Sequence, residues 1–272
     1  MSFKTEQRRF GTGERHSGFC AWPEPAAGPV PGVLVIQEAW GVDAHIEDVT
    51  LRFAKAGYVA LAPDLFARNG ERPAPFSRPR MDALKEFVNT MPPAAWSDPK
   101  ARDEALAKLP EPRRSEVGES LTQLQTAAMA QVDSYVPVLV EAAEYLRSTH
   151  PVSRGARVGS VGYCLGGGLS VRLACADPKL GAAVLYYGNA PPADRIASIA
   201  CPVLGLYGAL DARVNAGIAD FVTAMQQHGK RFDHHVYEGA AHAFFNDTRP
   251  SYHAGASRDA FARTLEFFRR EL

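Results

Sequence analysis

Cys164 lies in the stretch VGSVGYCLGGG, two residues after Gly162 and two before Gly166, between an apolar run and a segment of helical spacing. A nucleophile at a strand-to-helix elbow needs small neighbours, because the turn is tight and its backbone passes close to the adjoining strand and helix. GxCxG meets that need as the thiol counterpart of GxSxG. The start of the following helix favours a thiolate and offers the Leu165 amide to a developing oxyanion. The alternative reading is a small buried cysteine in a glycine turn, since cysteine is among the most frequently buried residues. Partners decide between these readings. A thiol nucleophile needs a histidine base, and the base needs a carboxylate to fix its tautomer. LYGALD ends one apolar run with Asp211, and YEGAAHAFF places His242 after the next. Taken singly, Asp211 reads as a turn former or a helix cap before Val214, and His242 is one of eight histidines. Together with Cys164 they stand in the order nucleophile, acid, base, and that joint placement favours a catalytic set. Glu38 ends VLVIQE at the same rim, where a carboxylate can pair with the thiol, pair with an arginine, or cap the helix that follows.

These positions require strands that deliver them to one edge. The run 33–36 in PGVLVIQEAWG is short, rich in β-branched residues and bounded by Pro and Gly, as in a buried parallel strand. Residues 43–56 follow with Ile46, Val49, Phe53 and Ala56 at helical spacing, and Gly57 at the C-cap. YVALAPD reads as the next strand. After residue 132 the alternation returns: helices over 132–146, 165–176, 214–228 and 257–270 are interleaved with RVGSVGYC, LGAAVLYYG, CPVLGLYG and FDHHVYEG as strands. That order predicts an α/β fold with a mostly parallel central sheet flanked by helices on both faces. Residues 66–130 interrupt it with eight prolines and many charges. The chain reads as one domain, 1–272, with this insertion overhanging the ligand-binding edge of the sheet, either as a solvated excursion or as a lid.

Thirty basic residues balance thirty acidic ones at a pI near 7.1, which removes the electrostatic argument for nucleic acid or an anionic membrane. The charged start MSFKTEQRRF has no signal-like apolar stretch and no run long enough to span a bilayer occurs, so a cytoplasmic location is expected. Cys20, Cys164, Cys175 and Cys201 are scattered without a CxxC pair, so reduced thiols are expected rather than a zinc site or disulfides. His234 and His235, adjacent on a strand, point to opposite faces and make no metal pair. No metal and no cofactor are expected.

The segments VIQEAWGVDAHIEDVTLRFAKAGYVALAPDLF, VGYCLGGG, LYGALD and GAAHAFFNDTRPSY together resemble the dienelactone hydrolase (carboxymethylenebutenolidase) family, across nearly the whole chain except the insertion. The resemblance implies an α/β-hydrolase fold, Cys164 as nucleophile, His242 as base, Asp211 as its orienter, and Glu38 as the glutamate that controls the charge state of the thiol. In that family the glutamate helps to deprotonate the thiol when substrate binds, so the resting sulfur stays protected. Backbone amides of Leu165 and Ala39 would form the oxyanion hole. The family also holds a substrate carboxylate with arginines, one of them four residues after the histidine, where this chain has Asn246. Arg68, Arg72, Arg78 and Arg80 are candidates for the other. This departure points away from dienelactone itself as the natural substrate. Trp40, Tyr187 and Phe244, with Asn246, flank the catalytic loops and are candidate pocket residues.

The expected reaction is hydrolysis of a small carboxylic ester or lactone through an S-acyl intermediate. A thiolate is itself a good leaving group, which favours activated esters, enol lactones and thioesters over amides. Rival readings are a thioesterase or peptidase on the same scaffold, or a non-catalytic binding protein of this fold. A dehalogenase would need a carboxylate at the elbow, which GYCLG lacks.

Overall fold

A computed structural model describes residues 2–24, 28–92, 95 and 98–272. Its eight-stranded sheet comprises β1 (Ser2–Phe10), β2 (His16–Glu24), β3 (Gly32–Ile36), β4 (Val59–Pro63), β5 (Val158–Tyr163), β6 (Ala182–Tyr186), β7 (Val203–Gly208) and β8 (Phe232–Tyr237), in the spatial order β1-β2-β4-β3-β5-β6-β7-β8. From β4 onward all pairs are parallel, and β1 and β2 add an antiparallel edge. The chain leaves β3 on one side to form β4 and on the other to form β5, so the strand order reverses between β3 and β5. Ligands bind α/β sheets at the carboxyl ends beside such a reversal.

Strand β3 illustrates how the layers form. All five of its residues are buried, as a strand covered on both faces requires. Leu34 and Ile36 face one core with Leu139 and Leu146 of α5 (Val136–Ser148) and Leu169 and Leu173 of α6 (Leu165–Ala176). Val33 and Val35 face the other, with Ile46, Val49 and Phe53 of α1 (Ala44–Lys55) and Phe267 and Phe268 of α9 (Ala254–Glu271). The two-residue period of the strand thus meets the helical period of its covers, and each fully buried Ile, Val or Phe contributes about 1.5–3 kcal/mol. Asp43 caps α1 by accepting the Ile46 amide at 3.0 Å, and Gly57 follows its end at φ 98°.

One segment lies outside the elements read from the sequence, and another differs from its expected form. The hairpin β1–β2 carries no clear apolar alternation; β1 is an exposed, charged edge, which protects the sheet from pairing with another chain. Residues 214–228 are not one helix. A single turn, α7 (Ala212–Asn215), is capped by Asp211, and α8 (Ile218–Gln227) starts again after Gly217.

Residues 66–130 contain α2 (Arg78–Thr90), α3 (Pro99–Leu106), α4 (Arg113–Gln123) and a π-helical turn at Leu124–Ala128. These share a small core in which Met81, Leu84, Phe87, Val117 and Leu121 pack with Ala39 and Trp40 from the loop after β3. Lys85 of α2 reaches Asp43 at 2.7 Å, an almost fully buried ion pair tying the segment to the start of α1. No helix among the described residues is long and apolar enough to cross a membrane.

Candidate active site

The elbow follows from close approach. A methyl group on Gly162 would overlap the Gly166 carbonyl oxygen, and one on Gly166 would overlap the carbonyls of Ile36 and Gln37, so β5, α6 and the end of β3 meet only because neither residue has a side chain. Between them Cys164 adopts φ 55°, ψ −112°, a conformation that L-residues avoid, and its amide is held by the Tyr186 carbonyl at 3.1 Å. The turn pushes the thiol out above the sheet while α6 begins at the next residue. The Leu165 and Ala39 amides have no backbone acceptor among the described residues.

His242 follows β8 and Asp211 follows β7, so parallel neighbours deliver both to the edge that carries Cys164. His242 Nε2 lies 3.2 Å from Cys164 Sγ, and its Nδ1 lies 2.5 Å from Asp211 Oδ2. The second Asp211 oxygen accepts the Val214 amide at 3.4 Å. Burial disfavours a charge on His242, but the Cys164 sulfur and the Asp211 carboxylate outweigh it and raise its pKa to about 10. Burial likewise raises Asp211, and His242, the Val214 amide and Arg213 overcome this and hold the carboxyl below its ordinary value. A thiol, a charged imidazole and an ionised carboxylate in one hydrogen-bonded series can form a nucleophile, move its proton and hold the base in one tautomer.

Glu38 is 2% exposed. Its Oε1 accepts the Tyr187 hydroxyl at 3.0 Å and its Oε2 accepts the Asn246 amide at 2.7 Å, so both of its carboxylate oxygens have neutral donors. Tyr187 and Phe244, with ring centroids 5.4 Å apart, are buried behind the site together with Asn246. Of the four pocket candidates, Trp40 alone lines the cavity over Cys164.

That cavity has a volume of about 570 Å³. Cys164, His242 and Asp211 lie at its base; Trp40, Val88, Met91, Pro92 and Met129 give it an apolar wall, four of them from the 66–130 segment. Arg213 and Arg249 also face it, and Arg249 lies over the Trp40 ring at 5.1 Å. Neither arginine forms an ion pair among the described residues, and neither was singled out from the sequence. The only signal was position: one lies two residues past Asp211, the other seven past His242. The four arginines that were singled out lie elsewhere. Arg72, Arg78 and Arg80 pair with Asp64, Glu47 and Glu119, and Arg68 lines a separate cavity of about 330 Å³. Among the described residues no cluster of His, Cys, Asp and Glu has a metal-binding arrangement.

A mostly parallel sheet with helices on both faces and a tight strand-to-helix turn at Cys164 above the strand reversal is the architecture of an α/β-hydrolase. Residues 17–272 match the model of the dienelactone hydrolase family, and the chain belongs to that family. It is 34% identical over 258 residues to a Saccharolobus solfataricus protein named "Putative carboxymethylenebutenolidase", covering 95% of both chains. An Escherichia coli O157:H7 protein of the same name is 30% identical over 270 residues, 95% of this chain and 83% of the other. Among solved structures, the Klebsiella pneumoniae "Putative Dienelactone Hydrolase" superposes with a TM-score of 0.69 at 27% identity, covering 98% of this chain and 99% of that one. The protein is a hydrolase of the dienelactone hydrolase type.

Proposed function

We propose that the protein hydrolyses a small ester or lactone that bears an anionic group, by S-acyl catalysis at Cys164. The observation that carries this reading is the series Cys164–His242–Asp211 at the base of an apolar cavity with two arginines on its wall. Cys164 Sγ attacks the carbonyl carbon as its proton passes to His242 Nε2, 3.2 Å away, and the oxyanion is received by the Leu165 and Ala39 amides. The intermediate collapses by breaking the carbon–oxygen bond, and His242 gives its proton to the departing alkoxide or enolate. His242 then takes a proton from water, which attacks the thioester and releases the acid and the Cys164 sulfur. Asp211 keeps Nδ1 protonated throughout. The 66–130 segment acts as a lid over the apolar part of the substrate, within a single hydrolase domain, and Arg213 and Arg249 hold its anion. Two guanidinium groups that form no ion pair among the described residues, in a cavity of this size, favour a carboxylate or a similar anion over a neutral ester.

Two measurements test this. p-Nitrophenyl acetate should give a burst equal to the enzyme concentration, and Cys164→Ala should remove both burst and turnover; a variant with full activity overturns the nucleophile. Arg249→Ala and Arg213→Ala should lower kcat/KM for a carboxylate-bearing ester by about tenfold or more, the loss of one charge-assisted bond, with a much smaller effect on its methyl ester. Equal losses on both substrates would remove the anion from the assignment.

A further inference from the structure

The second cavity, of about 330 Å³, shares no lining residue with the catalytic one. It lies between the two stems of the 66–130 segment: Leu65, Phe66 and Arg68 line it where the chain leaves β4, and Ala128, Gln131 and Tyr135 where the chain returns toward α5. The charges on its wall do not cancel. Arg15 pairs with Glu141, and Asp64 with Arg72 at 2.6 Å, but Arg68 meets no carboxylate at ion-pair distance among the described residues. A rigid turn presents this arginine. The Arg68 amide donates to the Glu71 carbonyl at 2.8 Å and the Glu71 amide to the Arg68 carbonyl at 3.2 Å, across Asn69 and Gly70 at φ 52° and 83°. Two consecutive residues at positive φ make the tight two-residue turn that Asn-Gly favours. Burial raises the pKa of the Tyr135 hydroxyl and the Arg68 charge opposes that rise, as expected of two groups that share one cavity. Beside them Phe66 and Phe76 stack at 4.6 Å, and Tyr135 meets Phe66 edge-on at 6.5 Å. A guanidinium beside aromatic rings, in a space at the small end of the range for ligand pockets, suits one planar ring that carries one negative charge.

The returning stem connects this cavity to the catalytic one. After α4 the chain runs through the π-helical turn Leu124–Ala128 and a 3₁₀ turn, Val132–Tyr135, before α5 begins. Turns of both kinds depart from α-helical hydrogen bonding and recur at hinges and functional sites. Ala128 faces the second cavity, and its neighbour Met129 faces the catalytic one. Tyr135 packs against both the core of the 66–130 segment and the core beneath the sheet. We propose that the cavity between the stems is a second binding site, taking a small aromatic carboxylate through Arg68, and that its occupancy fixes the turn that carries Met129 on the catalytic wall. The carboxylate accepts from the Arg68 guanidinium while the ring lies against Phe66, Phe76 and Tyr135. A ligand seated there touches both stems at once, so it binds best to one arrangement of them and shifts the segment by that difference in affinity.

The probe is 4-fluorobenzoate, titrated into the full chain carrying Arg213→Gln and Arg249→Gln, so that the catalytic cavity offers it neither arginine. ¹⁹F NMR should show saturable binding with a Kd of about 1 mM or tighter, as a ligand of this size can reach. In methyl-¹³C-methionine spectra the Met129 signal, assigned with Met129→Leu, should move along the same saturation curve. Adding Arg68→Gln should weaken binding at least about tenfold, the loss of one charge-assisted bond, whereas Arg68→Lys should lose less because the charge remains. Neutral 4-fluorobenzamide should bind at least about tenfold more weakly than the carboxylate. Absence of saturable binding would overturn the proposal, as would equal affinity in Arg68→Gln with the melting temperature unchanged. A Met129 signal that stays still while the site fills would overturn the link to the catalytic cavity. None of these readouts involves turnover, so a failed p-nitrophenyl acetate burst would count against the esterase reading and leave this site standing.

Discussion

Replacing Asp211 by Asn removes one charge and little else. Asn has nearly the same volume and remains a good N-cap, so the Val214 amide that begins α7 keeps an acceptor. What is lost is the charge-assisted bond to His242 Nδ1, in a pair whose carboxylate is 6% exposed and whose ring is 32% exposed. A bond of that kind contributes about 1.5–3 kcal/mol, or about 10- to 150-fold in rate if the charge on His242 is fully developed in the transition state. The whole elevation of the His242 pKa is not the right measure, because the Cys164 sulfur supplies part of it and solvent reaches the ring. The amide can also favour the wrong tautomer of the ring, which acts in the same direction. The sign of the pH effect follows from the direction of the shift. A histidine raised from 6.5 to about 10 contributes stability that is full below about 6.5, declines as pH rises, and is gone above about 10. Without the carboxylate the folded-state pKa falls, so the decline ends at a lower pH. Stopped-flow acylation by p-nitrophenyl acetate gives the rate, and ¹⁵N-histidine NMR gives the titration of the ring. An acylation rate within about twofold of the parent, with the His242 titration unmoved, would refute the orienting role and leave Asp211 as a helix cap.

Native labelling with iodoacetamide should modify Cys164 alone, because burial pushes Cys20 and Cys201 up to about 12 and also raises Cys175; peptide mapping that finds a second labelled site under folded conditions would contradict this. Gly162→Ala should yield little folded protein, since the added methyl meets backbone rather than a flexible side chain, and a soluble variant with an unchanged melting temperature would count against the elbow geometry. Lys85→Ala should cost about 3–5 kcal/mol by leaving Asp43 buried and unpaired, measured by urea denaturation; a loss under about 1 kcal/mol would mean that Asp43 finds water or another donor.

Much of this protein is written in short stretches of chain. The β-branched run of β3, the helical spacing of α1 with Asp43 and Gly57 at its ends, and the glycines around Cys164 are local features, and local sterics suffice to produce a strand, a capped helix and a strained elbow. The order Cys164, Asp211, His242 was legible for a related reason: parallel strands bring their carboxyl ends to one edge, so residues far apart in sequence converge whenever each follows its own strand. Tyr187, Phe244 and Asn246 lie close in sequence to the segments that carry the candidate site, and only packing puts them behind the cavity rather than on its wall. The grip of Asn246 on Glu38 joins residues 208 positions apart, and its geometry depends on Thr248 turning the amide. Arg213 and Arg249 carry no motif; only the folded chain turns them toward the cavity, where neither forms an ion pair among the described residues. The insertion shows the same division, since its prolines and charges mark a break in the alternation while its packing on Ala39 and Trp40 sets where it stands over Cys164. Residue type and spacing thus determined which candidate residues stand at which strand ends. What surrounds those atoms was decided by tertiary structure, because neutralisation, burial and cavity shape are properties of contacts between distant segments.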